Sequence, residues 1–206
     1  MAIRESEPLT EMEIKPGTKT FKAKNRKAWR AWLNKNHAKE KSIWLIIYHK
    51  SSKTPSVYMD EAVEEALCFG WIDSIKKKRD DESAYQFFSR RKPKSNWSKI
   101  NRARAVTMIK EGQMTPAGQA MVDLAKKTGT WTALKGVQDG VIPSDLQKMF
   151  EKNATAYANF QAFPPSSKRI ILEWILNAKK PETRLKRIKE TVELAKKNIR
   201  ANHYRQ

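Results

Sequence analysis

The 206-residue chain is expected to be an α+β protein: a small antiparallel sheet of about three strands with flanking helices, then an all-helical C-terminal half. Three observations lead there. Ser42–Tyr48 (SIWLIIY) is a short run of β-branched and aromatic residues. Trp71–Ile75 and Ala84–Phe88 repeat that character on either side of a charged KKKRDDE loop. From Ser95 onward, apolar residues recur mostly at helical spacing. Joining the last two strands through their loop, beside a central Ser42–Tyr48, makes the sheet.

Taken in order, residues 1–20 are polar, broken by Pro8, Pro16 and Gly17, and read as a loose N-terminal arm. A helix follows over about 23–36, with Ala28, Trp29, Trp32 and Leu33 on one face and a basic face of Lys22, Lys24, Arg26, Lys27 and Arg30. Asp60–Phe69 is a short helix with acids in its first turn, where the helix dipole favours them, and Gly70 stands where a helix end wants a left-handed residue. A helix over about 95–111 shows no clean apolar stripe. Thr115-Pro116 opens the next helix, which Gly129 stops. Ser144 to Gln147 fits a capping box, Asn153 caps a further helix, and Pro181 starts the last. The expected organisation is an arm (1–20), an α+β domain (21–128), a glycine-rich linker (129–143) and a helical region (144–206).

Hydrophobic residues make up 39% of the chain and include seven tryptophans, which supports a packed globule although 31% of residues are charged. Lys and Arg outnumber Asp and Glu by 42 to 22, a net charge of +20 that bears on partners and solubility rather than on fold. Nucleic acid is the first partner expected, with anionic lipid or small phosphate ligands behind it. A basic surface that binds nothing carries the same charge. Cys68 is the only cysteine, so no internal disulfide forms and a reducing compartment is expected. The first residues hold no apolar stretch, and Ile43–Tyr48 is far too short to cross a bilayer, so the expected location is cytoplasmic.

The sharpest local signal is the basic loop Arg90-Arg91-Lys92-Pro93-Lys94 running into Ser95-Asn96-Trp97-Ser98. If a helix begins at Ser95, its first amides lack partners and attract an anion. Arg90 and Arg91 would grip phosphate, Lys94 would add charge, and Ser95, Asn96 and Ser98 would cap or hydrogen-bond. An ordinary capped helix beside a solvated loop has the same residues. Trp71 and Trp97 would wall the site or simply fill a core, and Asp73 would orient an arginine or act as an acid–base group. Lys179, Lys180, Arg184 and Arg187 form a second basic cluster, able to clasp phosphate, to bridge to the first domain or to face water. No P-loop, GxGxxG or GxSxG element occurs, the histidines are scattered and Cys68 has no ligand partner. No catalytic residue, cofactor or metal is expected.

CFGWID, SRRKPKSNWSKIN, GQMTPAG and AKKPETRLKRI together resemble the YdeI/OmpD-associated family, also called bacteriocin-protection proteins. The resemblance runs from about Trp29 to Ala195, with the residues from about Ser144 similar to the family's C-terminal helical region. It implies a bacterial protein, a link to the cell envelope and survival of antimicrobial peptides, but no agreed activity and no catalytic residues. The leading expectation is a non-enzymatic binding protein that engages a polyanion, nucleic acid first. The alternatives are a small phosphate- or carboxylate-bearing ligand held at the Ser95 loop, with or without chemistry there, and an envelope-stress protein as the family name implies. Oligomeric state is left open.

Overall fold

A computed structural model describes Ile14 and residues 18–202 of the chain. The elements run β1 (Thr20–Lys22), α1 (Arg26–Asn36), β2 (Ser42–Tyr48), α2 (Met59–Cys68), β3 (Trp71–Lys78), β4 (Ser83–Arg90) and α3 (Lys99–Lys110). The helices α4 (Pro116–Lys127), α5 (Lys135–Gln138), α6 (Ser144–Glu151), α7 (Ala154–Ala162), α8 (Pro165–Leu176) and α9 (Pro181–Lys196) complete them. The mixed α+β class with a helical C-terminal half is as expected, but the sheet has four strands in the order β1-β2-β4-β3.

The extra strand is β1, three residues long and parallel to β2, with Phe21 opposite Leu45. It lies at the boundary assigned to the N-terminal arm, whose earlier residues fall mostly outside those described. β2 and β4 pair antiparallel from Ser42–Ser89 to Tyr48–Ser83, so β2 is central. β3 continues through Lys76–Lys78, which shortens the loop before β4, and an irregularity between Asp73 and Lys76 shifts its register. A three-residue strand carries too little pattern to be distinguished from loop; only pairing with β2 reveals it.

Two compact units form. One holds the residues up to Ser95 together with Ile100–Trp131; the other holds Asn96–Lys99 and the chain from Thr132 onward. In the first, α1 buries Trp29 and Leu33, and the Trp29 indole donates to the carbonyl of Ala62 on α2 at 3.0 Å. Trp29 also meets Phe88 of β4 with ring centroids 5.3 Å apart, so α1 and α2 cover the sheet face that bears Leu45, Gln86 and Phe88. Arg26 and Arg30, on the expected basic face, hold Glu65, which is 2% exposed, at 2.6 Å each. Burying that carboxylate is tolerable because both of its oxygens are paired.

In the second unit, Phe150, Phe160, Ile171, Leu172, Ile175 and Val192 share one core. Val137 of α5 joins them, so much of the expected 129–143 linker is packed structure. Thr115, Asn153 and Pro181 open their helices as expected. The capping box at Ser144 does not form: Pro143 is the cap residue, and Ser144 already lies inside α6. Among the described residues, no helix is long and apolar enough to cross a membrane.

Candidate functional site

The helix expected at Ser95 begins four residues later, at Lys99. Ser95 closes a turn instead: its amide and its hydroxyl both donate to the carbonyl of Lys92, at 3.0 and 2.7 Å. Serine and asparagine bond readily to nearby backbone in non-helical conformations, and Pro93 favours a turn, so local bonding outcompetes an early helix. The Asn96 side chain donates to that of Asn177 at 2.9 Å, within the second unit. No helix amide end therefore lies at Ser95, and the candidate residues are divided between the two units.

Both arginines of the loop are occupied elsewhere. Arg90 donates from Nε to the carbonyl of Glu40 at 2.7 Å and from Nη2 to that of Ala38 at 2.6 Å. These carbonyls follow the end of α1, where a helix leaves acceptors without partners. Arg91 is 6% exposed, and its amide donates to the Gly70 carbonyl at 2.9 Å. Burial pulls its guanidinium down to about 10, opposed by the Asp73 carboxylate, so it stays charged at neutral pH. Asp73 is pushed up from the usual carboxylate range, first by burial, against its own backbone hydrogen bond and the charges of Arg104 and Arg91. The charges that act on Asp73 are thus those of Arg104 and Arg91, not of Arg90. Trp71 and Trp97 are each 1% exposed; the Trp71 indole donates to the His37 carbonyl at 3.3 Å. Neither ring offers a face to a ligand. Lys94 is exposed in the turn, and Ser98 is partly exposed.

The second cluster is divided in the same way. Arg184 clamps Asp145 of α6 with two bonds of 2.6 and 2.9 Å, and donates to the Ile175 carbonyl at 3.3 Å. It bridges elements of its own unit rather than reaching to the first. Arg187 donates to the Trp174 carbonyl and lies 5.0 Å above the Trp174 ring. Arg187 and Trp174 line an open groove of about 360 Å³ with Ile170 and Asn177. Lys179 and Lys180 stand exposed just before α9.

Two other surfaces, outside the Ser95 loop, collect charge and aromatic groups. An open groove of about 360 Å³ at the start of β2 is lined by Lys19, Lys39 and Lys41 with Trp44 and Phe87. Glu40 lies among these lysines and pairs with Lys19 at 2.7 Å. The adjoining face of the sheet, opposite the one under α1 and α2, carries Trp44 against Phe87, with centroids 4.9 Å apart, and Trp44 against Tyr85 at 6.2 Å. Cations lie over these rings: Lys77 above Trp44 at 5.7 Å, Lys22 above Tyr48 at 4.9 Å, and Arg79 5.9 Å from both Tyr48 and Tyr85. Arg79 also donates to the Tyr48 hydroxyl at 3.2 Å, and this bond, above its other contacts, raises its pKa. The signal was present in the sequence: every second residue of SIWLIIY and of SAYQFFSR belongs to this face.

Residues 21–121 match a family model described as Domain of unknown function (DUF8412). No curated protein and no solved structure matches the chain. CFGWID, SRRKPKSNWSKIN and GQMTPAG fall inside that first match, so the wider resemblance divides between two families at about the boundary of the two units. Residues 139–198 match the model of the Bacteriocin-protection, YdeI or OmpD-Associated family, and this part of the chain, with AKKPETRLKRI in it, is a domain of that family.

Proposed function

We propose that the protein binds a polyanion, nucleic acid before any other, through its basic surfaces and without catalysing a reaction. One observation carries the reading: there are twenty more Lys and Arg than Asp and Glu, 42 against 22. Even with every carboxylate paired to one cation, that excess remains, and apart from a buried case such as Arg91 charges of this kind stay mostly at the surface. Lys and Arg on such a surface neutralise phosphates and release the counterions condensed on them, an entropic gain that needs no fixed pocket. The hairpin of β3 and β4, with Lys76, Lys77, Lys78 and Arg79, and the groove of Lys19, Lys39 and Lys41 are the places where cations gather. The single buried Cys68 fits work in a reducing compartment.

The test is fluorescence anisotropy with labelled oligonucleotides, single-stranded and duplex, at about 50 and about 200 mM salt. A steep loss of affinity with salt is expected. Failure of both oligonucleotides to bind at the lower salt would remove the reading.

A further inference from the structure

We propose that the sheet face bearing Trp44, Tyr85 and Phe87 is a stacking platform for single-stranded nucleic acid. The inference rests on the polyanion reading above and names both the partner and the surface.

The argument begins with β2, which is apolar on both faces. Ile43, Leu45 and Ile47 point with Phe88 and Gln86 toward the helices, and Leu45, Gln86 and Phe88 are at most 3% exposed. The alternate residues Trp44, Ile46 and Tyr48 pair with Phe87, Tyr85 and Ser83 on the other face. An antiparallel strand with one face in water normally alternates apolar with polar. Here the outer face is mainly aromatic, and Tyr48, Tyr85 and Phe87 are all partly exposed. Of these rings Trp44 alone is nearly buried, under Lys77, and Ser83 beside Tyr48 is buried too.

The chemistry of the rim selects the occupant. An apolar protein partner would meet ammonium and guanidinium groups over the rings, which it would have to desolvate without compensation. A nucleotide supplies both complements at once, a π-face for the ring and a phosphate for the cation. Lys22 and Lys77 hold rings through flexible stems, so each ammonium can move to a phosphate while a base takes its place. Arg79 is more constrained, since Asp80 pairs with it at 3.0 Å.

The spacing selects single strands. Rings at alternate positions along a strand stand about 7 Å apart, twice the roughly 3.4 Å repeat of stacked bases in a duplex strand. Bases must be splayed to meet them, which a single strand permits and a duplex resists.

The experiment uses the full chain, a labelled oligothymidine of about 12 nucleotides and a hairpin duplex of equal charge. Tyr85→Leu combined with Phe87→Leu keeps apolar volume but removes the π-faces; Tyr85→Phe keeps the face and loses only the hydroxyl. The double variant is expected to lower single-strand affinity about tenfold or more while duplex affinity changes less than about twofold, and Tyr85→Phe to bind like the wild type. Ultraviolet crosslinking of the unaltered chain to the same oligothymidine, read by mass spectrometry, does not depend on any variant folding. Adducts within residues 42–48 or 83–90 are expected. Adducts confined to other segments, or an equal loss on both oligonucleotides, would overturn the platform and leave the polyanion reading standing. No binding of either oligonucleotide by the wild type would overturn both.

Discussion

A methyl group placed on Gly118 would stand 2.3 Å from the carbonyl oxygen of Cys68. The same oxygen accepts the Thr115 hydroxyl at 2.6 Å and the Thr115 amide at 3.2 Å. The start of α4 is thus docked on the end of α2, and CFGWID and GQMTPAG, far apart in the chain, are two halves of one contact. Gly118→Ala cannot be relieved by moving a flexible side chain, because the obstacle is backbone. It is expected to cost about 1–3 kcal/mol, seen as a lowered midpoint in a urea titration monitored by circular dichroism. An unchanged midpoint would mean that the two helices can part.

Glu65 is the acid on which α1 and α2 converge, between Arg26 and Arg30. Removing it leaves two guanidinium groups against a buried site, although both arginines are about a third exposed and recover some hydration. Glu65→Ala is expected to destabilise by about 3 kcal/mol, the low end for breaking a buried pair. Adding Arg30→Leu should restore part of the loss; strict additivity of the two changes in denaturation would contradict the coupling.

Arg90 is a fastener for the carbonyls after α1. Arg90→Ala is expected to cost about 1–2 kcal/mol, and Arg90→Lys to recover little, since an ammonium cannot reach two carbonyls with the geometry of a planar fork. Neither change should weaken oligonucleotide binding beyond the loss of one surface charge. A large affinity loss in a variant that melts normally would return Arg90 to the binding surface.

The Asp145–Arg184 clamp predicts a pH dependence of definite sign. The hydrogen bonds from Arg184, more than any other contact, hold Asp145 below its ordinary range. A depressed carboxylate contributes stability above its unfolded pKa of about 3.9, and that contribution fades as pH falls through the lower folded value. Asp145 is 44% exposed, so screening limits the pair to a few tenths up to about 1 kcal/mol. Asp145→Asn should therefore lower the thermal midpoint at pH 7, and the gap between variant and wild type should narrow as pH falls below about 3.9.

Burial, aided by the neighbouring Glu65 carboxylate, pushes the Cys68 thiol up to about 11 against the pull of Arg30. At pH 8 only about one native molecule in a thousand carries the thiolate, so alkylation of the folded protein should be very slow and should accelerate on denaturation. The sign for stability is the reverse of the Asp145 case. The unfolded thiol ionises near 8.5, so folding stability should decline from about pH 8.5 toward about 11. Rapid labelling at pH 8 without denaturant would show an accessible thiol.

Local chemistry was legible wherever a residue acts on its own neighbours. Gly70 and Gly129 take positive φ at helix ends, Thr115 and Asn153 cap with their side chains, and SIWLIIY forms the central strand. The loop into Ser95 departs from the expected helix start for the opposite reason. Its helix start depended on a close contest between turn and helix, and the Ser95 hydroxyl resolves it through the carbonyl three residues back. Where Arg90 points was not legible at all, because its acceptors, the carbonyls of Ala38 and Glu40, lie on a segment remote in sequence, and the burial of Arg91 is likewise a product of tertiary packing.

By itself the sequence determined the class of the fold, most element positions and a cationic excess of twenty, since propensity, caps and formal charge are properties of residues and their neighbours. Only the tertiary structure decided which cations are engaged inside the fold and which rings are left at a surface. Strand register places Trp44, Tyr85 and Phe87 on one face and lays α1 and α2 on the other, and that choice comes from pairing across the chain.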